Sequence, residues 1–349
     1  MKRLLNTLYI TTPNAYISKE GTNIVISVDN EERFRIPSMN LQAINTFGYQ
    51  GASPGVMKLC ADNGIALTFF SPNGRFIARC QGPTQGNILL RIKQYRILDD
   101  AEARVRISRL FIYGKLFNTR AILRRCIRDY PAQTQKCLIE KSAERIRMLA
   151  IRTLAQTDLD QLRGLEGEGA SEYFSVFDHL ILHQKREFRF EGRVRRPPTD
   201  YINAMLSFAY SMLANDCAAA LEGVGLDPAA GFMHALRPGR NSLALDLMEE
   251  MRGYIVDRFV LSLINTRQIT PSDFKRHTSI DSEMDTSVTL TESGMKKFLT
   301  AWQARKKTEF QHPFINEKIS IGLLPHVQAL LLARFIRGDI DNYPVFLMK

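Results

Sequence analysis

The sequence contains no unbroken apolar run long enough to cross a bilayer, so a helical membrane span is not expected. Its opening residues, Met1-Lys2-Arg3-Leu4-Leu5-Asn6, are basic and then polar, with neither an apolar core nor a small-residue cleavage site. A secretory signal is therefore not expected, and a cytoplasmic location is. Cysteine is scarce: Cys60, Cys80, Cys126, Cys137 and Cys217 are an odd set at scattered spacing, which suits reduced thiols. None forms a CxxC pair, so a thiolate zinc site is not expected. The phosphate-cradling GxxxxGK loop, a GxGxxG after a strand, HExxH and GxSxG are all missing. Nucleotide hydrolysis, dinucleotide chemistry and serine hydrolysis therefore lack their usual motifs, and a small-molecule enzyme has no cofactor motif to stand on. There are no internal repeats and no low-complexity tract.

What the sequence does have is cationic charge in one place. The 349 residues carry a net charge of +11. Residues 75–163 hold 19 Lys or Arg against 8 Asp or Glu, so the rest of the chain is neutral. A local surplus of this kind suits a polyanion, because each neutralised phosphate releases condensed counterions; the competing reading is a solvated helix face. With 45% hydrophobic and 24% charged residues, the chain is long enough for a full core and for two domains.

The first part reads as strands. Segments 15–18 and 23–28 flank a Glu20-Gly21 turn, 33–36 follows a polar turn, and 65–70 and 76–80 flank Pro72-Asn73-Gly74, a strong hairpin signal. Between them 55–63 reads as a short helix stopped by Gly64. After residue 86 apolar residues recur every three or four positions, interleaved with arginine, which is helical periodicity. The expected architecture is α+β: a small β-rich domain over residues 1–85, then a larger all-α domain over 86–349, with the boundary near 82–86. Within the helical part, 162–169 reads as a Gly- and Glu-rich interruption. Segment 186–199 reads as a basic loop that Pro197-Pro198 keep out of helix, with Asp200 as a cap for a buried helix over 202–222. Residues 223–228 form a turn, Asn241-Ser242 cap a helix over 243–264, and 323–336 is a helix followed by a non-helical tail over 343–346.

A few residues can do chemistry. Asp246 and Glu249 lie three apart on an otherwise apolar helix, so they share a face in a partly dry setting where a carboxylate needs a cation or a hydrogen-bond partner. Magnesium or manganese fits such oxygens, and manganese also takes imidazole. The competing reading is two acids facing water near a helix N-terminus. His234, twelve residues upstream, is either a ligand or a satisfied structural histidine, and precedes Arg237-Pro238-Gly239-Arg240, a loop suited to phosphate. Glu166 has glycine nearby on both sides, as does its competitor Glu168, and glycine lets a backbone, metal or substrate come close.

Together these segments resemble the CRISPR-associated integrase family, the catalytic protein of spacer acquisition. The likeness rests on Glu166-Gly167-x-x-Ala170-x-x-Tyr173-Phe174, the run from Gly192 to Asp200, Asn203-Ala204-x-Leu206-Ser207-Phe208-x-Tyr210, Gly225-Leu226-Asp227-Pro228, Gly231-Phe232-x-His234, the run from Ser242 to Glu250, and Val256-Asp257-Arg258. Several motifs in order are far more specific than any one, they cover nearly the whole chain, and their pattern resembles the I-C subtype. The resemblance implies metal ligation by Glu166, His234 and an acid of the next helix, Glu249 or Asp246. Where the family often has aspartate at the second of these acids, this chain has Glu249. It also implies a bound Mn2+ or Mg2+, attack of a DNA 3′-hydroxyl on a phosphodiester of the repeat array, and phosphate contacts from Arg193, Arg195, Arg196 and Arg240. As partners it implies DNA, a second copy joined through the β-rich domain, and the small second Cas adaptation protein. The alternatives are a metal-dependent DNA nuclease or resolvase, and a non-catalytic nucleic-acid scaffold.

Overall fold

The computed structural model describes residues 6–48, 51–72, 74–80, 82, 88–132, 135–194, 197–278 and 286–348. The N-terminal part holds two sheets. In the first, β1 (Thr7–Ile10), β5 (Ala43–Phe47), β6 (Ala66–Phe70) and β7 (Phe76–Cys80) lie side by side, parallel except for the β6–β7 pair. The second is the antiparallel meander β2 (Ala15–Glu20), β3 (Asn23–Val28) and β4 (Glu31–Pro37). Asp29 and Asn30 join β3 to β4 with φ of 51° and 67°, the double left-handed turn that matches strand twist. Helix α1 (Pro54–Asn63) crosses between β5 and β6. Ser53 caps its first turn, Pro54 enters it, and Gly64 ends it at φ 64°, the stop expected from the sequence. Strands β1 and β5 are additional to those expected. Both sit in a sheet whose parallel pairing gives no hairpin signal.

The expected boundary at 82–86 falls almost wholly outside the described residues, and strand gives way to helix between β7 and α2 (Ile88–Asp99). The two parts meet on an aromatic joint: Phe47 and Phe70 stack at 5.1 Å, and Phe208 closes on Phe47 at 5.9 Å. Gly74 serves this joint as well as its turn. It has φ 78°, and a Cβ there would stand 2.4 Å from the Phe208 ring; its turn partner Asn73 lies outside the described residues.

Helix α3 (Ala101–Asp129) is the axis of the second part, with α4 (Lys136–Leu154), α5 (Leu159–Ser175) and α7 (Ser242–Arg252) packed on it. The interruption expected over 162–169 does not occur. Asp158 caps α5, which runs straight through Gly164, Gly167 and Gly169. Three glycines cost such a helix about 1 kcal/mol each, but Leu162 and Leu165 are buried against the core. Moreover, a Cβ on Gly169 would lie 2.2 Å from Leu116 of α3. Tertiary packing thus overrides propensity, and the close approach is between two helices.

Helix α6 (Tyr201–Gly223) is buried and capped by Asp200, which accepts from the Asn203 amide at 2.8 Å, as expected. The helix expected over 243–264 is instead α7, a π-helical turn over Gly253–Asp257, and α8 (Arg258–Asn265). Asn241 makes no side-chain cap on α7; the Pro228 carbonyl accepts the Leu243 amide at 2.8 Å instead. The C-terminal part is not wholly helical. Two short hairpins, β8 (Phe274–Thr278) with β9 (Thr286–Leu290) and β10 (Glu309–Gln311) with β11 (Lys318–Ser320), flank α9 (Glu292–Lys307) and precede α10 (Leu324–Arg337). Among the described residues no helix is long and apolar enough to cross a membrane.

The tail after α10 turns inward, with Tyr343 and Phe346 fully buried. Glu250 accepts from the Tyr343 hydroxyl and, at 2.6 Å, from the Phe346 amide. Gln328 donates to Tyr343 at 2.9 Å and lies 3.1 Å from His312 Nε2. His312 Nδ1 accepts two backbone amides, from Phe314 and Ile315, so the proton of the neutral ring sits on Nε2 and faces the Gln328 oxygen. Burial lowers the pKa of His312 below its ordinary 6.5. Its contribution to stability is therefore present above about pH 6.5 and lost as pH falls through the lowered value. Glu250 runs the other way: burial pushes it up to about 7, so its contribution is present below 4.5 and lost as pH rises through about 7. Thermal melts across this range should show an acid-side loss in the wild type that His312→Gln removes. An identical acid limb in the variant would assign that loss to other groups.

Candidate metal centre

The site assembles where α5 and α7 face α3. Gly231 sets the first contact, since a Cβ there would lie 2.5 Å from the Ser242 backbone. This closeness lays the chain of Phe232, Met233 and His234 across the start of α7. Asp246, wholly buried, then accepts three backbone amides: Phe232 at 2.6 Å, Met233 at 3.0 Å and His234 at 3.0 Å. The same carboxylate meets His234 Nδ1 at 2.6 Å. With Nδ1 engaged, Nε2 is the ring nitrogen that a ligand would use. Arg163 of α5 clamps this loop from the other side, donating to the Met233 carbonyl at 2.7 Å.

One turn along α7, Glu249 is 4% exposed. Arg252 donates to both its oxygens, at 3.0 and 3.1 Å, and Lys115 of α3 reaches it at 2.7 Å. Burial pushes the Glu249 carboxyl up, but Arg252, Lys115 and then His234 outweigh it and hold its pKa well below the usual carboxylate range. Lys115 also contacts Glu166 of α5, so one ammonium joins carboxylates from two helices. Behind them, Arg252 lies over the Tyr210 ring at 4.3 Å, and the Tyr210 hydroxyl donates to the buried Asp257 of the π-helical turn.

The sequence candidates thus occupy different places. Glu166 and Glu249 meet on one lysine, while the His234 ring is held by Asp246. Asp246 stands behind His234 with its oxygens already taken by four donors. Among the described residues, no three His, Cys, Asp or Glu side chains are spaced as an ion-ready cluster. Lys115 stands between two of the candidate donors, and their chemistry, two carboxylates and an imidazole with a carboxylate behind it, nonetheless fits a hard divalent ion.

Of the arginines expected at phosphate, Arg193 is turned inward. Its guanidinium donates to Asn203 at 2.7 Å, Ser207 at 3.0 Å and the Val194 carbonyl at 2.7 Å, pinning the loop before α6. These bonds give Arg193 a loop-holding role within the fold. Arg195 and Arg196 lie outside the described residues, and Arg240 is half-buried on the loop between His234 and α7.

Sequence reasoning missed Lys115 and Arg252. The signal for Lys115 was a lone lysine among Phe111, Ile112, Leu116 and Thr119 on the buried face of α3.

The chain matches the family model described as "CRISPR associated protein Cas1" over residues 8–304. It is 48% identical to "CRISPR-associated endonuclease Cas1 1" of Chlorobaculum tepidum over 350 residues, covering all of both chains. Among solved structures it resembles a "Casposase bound to integration product" with a TM-score of 0.80 at 23% identity, covering 98% of this chain and 94% of that one. A "Cas6-RT-Cas1–Cas2 complex" contains the same fold, with a TM-score of 0.83 at 20% identity, covering 100% of this chain and 37% of that one.

Proposed function

Because the chain belongs to the CRISPR-associated Cas1 family, we propose that it is the integrase of CRISPR adaptation, a metal-dependent DNA endonuclease that inserts captured DNA fragments into the repeat array. The observation that carries this reading is the meeting of Glu166 and Glu249 on one cation, beside a histidine whose Nδ1 is fixed by Asp246. Glu166, Glu249 and His234 Nε2 would hold Mn2+ or Mg2+, with Asp246 as the group that fixes the ring. When bound, such an ion supplies charge neutralisation at the attacking and leaving oxygens of a phosphodiester.

The residues of the chain do the rest. Asp246 keeps the imidazole in one tautomer, Arg163 holds its loop in place, and Arg252 keeps Glu249 ionised. The attacking oxygen belongs to a DNA 3′ end in joining and to water in cleavage, so the protein need not provide a nucleophile. The basic stretch of α2 to α4 would carry the DNA backbone. Arg120, Arg124 and Arg128 line a groove of about 340 Å³ between α3 and α4, and contacts of this kind set register more than sequence. The relatives support two partners. The integration product bound by the casposase supports DNA, and the Cas1–Cas2 assembly supports a Cas2 partner. A homodimer through the β-rich part is supported by Tyr16, Phe34, Phe76 and Ile77, all 42–48% exposed on its strands.

A strand-transfer assay tests the proposal. A short duplex with free 3′ ends is offered to a supercoiled plasmid carrying a CRISPR repeat, with Mn2+ or EDTA, and with or without Cas2. Joining that stops in EDTA is the expected result. Nicking without joining would assign the site to a structure-selective nuclease, and DNA binding without either would leave a scaffold.

A further inference from the structure

Lys115 belongs to none of the motifs above, yet its side chain is 7% exposed and pairs with both carboxylates that the proposed function needs. A buried ammonium is expensive unless paired, and two carboxylates brought together from separate helices repel unless a cation lies between them. Each side therefore needs the other in the metal-free protein. Arg252 supplies a second cation, but it serves Glu249. Among the described residues, the ion pair recorded for Glu166 is the one to Lys115. Leu116, the next residue of α3, is the side chain that a Cβ on Gly169 would strike, so the close crossing of α3 and α5 delivers Lys115 to Glu166.

We propose that Lys115 is a built-in stand-in for the metal: it holds the Glu166 and Glu249 carboxylates together in the metal-free protein and competes with a divalent cation for them. Metal entry then withdraws the ammonium from at least one carboxylate, and Lys115 sets how tightly the site loads. This rests on the reading that these carboxylates are ligands.

The test is calorimetric titration of Mn2+ into the metal-free full-length chain, as wild type, Lys115→Met and Glu166→Gln. Lys115→Met should bind Mn2+ roughly tenfold or more tightly than wild type, since one charge-assisted contact no longer has to be broken. It should also melt lower in EDTA and gain more on adding Mn2+. Equal or weaker binding by Lys115→Met, with wild-type binding lost in Glu166→Gln, would overturn the stand-in and leave the metal site in place. Binding unchanged in Glu166→Gln, or absent from both wild type and Lys115→Met, would overturn the metal site and this inference with it. If Lys115→Met does not fold without metal, wild-type crystals grown in Mn2+ decide. An ion on Glu166 and Glu249 with Lys115 drawn off one of them is expected; an ion with both lysine contacts intact refutes the competition.

Discussion

Alanine at position 234 is expected to abolish strand transfer while leaving fold and DNA binding in place. The His234 side chain is 21% exposed and its recorded side-chain hydrogen bond goes to Asp246, so its removal opens no sealed core. Asp246 keeps its three backbone amides without it. What is lost is the nitrogen ligand, and a metal that stabilises phosphoryl charge contributes several kcal/mol to the transition state. The expected fall in rate is therefore on the order of a thousandfold or more, with the melting temperature close to wild type and the DNA dissociation constant unchanged. Mn2+ titration should show weakened loading. Retained strand transfer in His234→Ala would return the histidine to a structural role and remove the main support for the metal centre.

Alanine at position 246 should cost both stability and activity, which separates a positioning residue from a ligand. Its carboxylate is wholly buried and accepts three backbone amides. Orphaning a buried donor costs about 1–3 kcal/mol, so the combined loss should be at least about 3 kcal/mol, read as a shift in urea midpoint. Metal affinity should fall roughly 10–100-fold, as when a carboxylate behind a histidine ligand is removed. Asp246→Asn retains volume but turns an N–H toward donors, so it should lie between wild type and alanine in both readouts. If Asp246→Ala were as stable as wild type, the account of the Gly231 loop would fail. A complete loss of Mn2+ binding at unchanged stability would instead mark Asp246 as a direct ligand.

Much of this was legible in the residues. Gly64 ends α1 and Asp200 begins α6, as read, because caps and breakers act within a few residues. The glycine-rich stretch around Glu166 misled for the same reason. Local propensity predicts a break, whereas the packing of Leu162 and Leu165 and the crossing at Gly169 hold the helix. Asp246 and Glu249 share a helix face, as their spacing predicts, but spacing could not tell which is free to ligate. That depended on the loop of Phe232 to His234 wrapping Asp246, and on Lys115 arriving at Glu249 from α3. The tail over 343–346, read as non-helical, is taken up by Glu250 and Gln328 within the fold.

By itself the sequence determined that a strand-rich part precedes a largely helical one, where the cationic stretch that suits a polyanion lies, and the spaced motifs that place the chain in its family. These are properties of composition and of neighbours along the chain, so they survive without a fold. Only the tertiary structure decided that Glu166 and Glu249 share one ammonium, that Asp246 serves His234, and that Arg193 faces inward. Each of these depends on which atom fills the space beside a buried charge. A charge taken out of water must find its partner wherever packing brings one, and here the partners lie from 10 (Arg193 and Asn203) to 134 (Lys115 and Glu249) residues away along the chain.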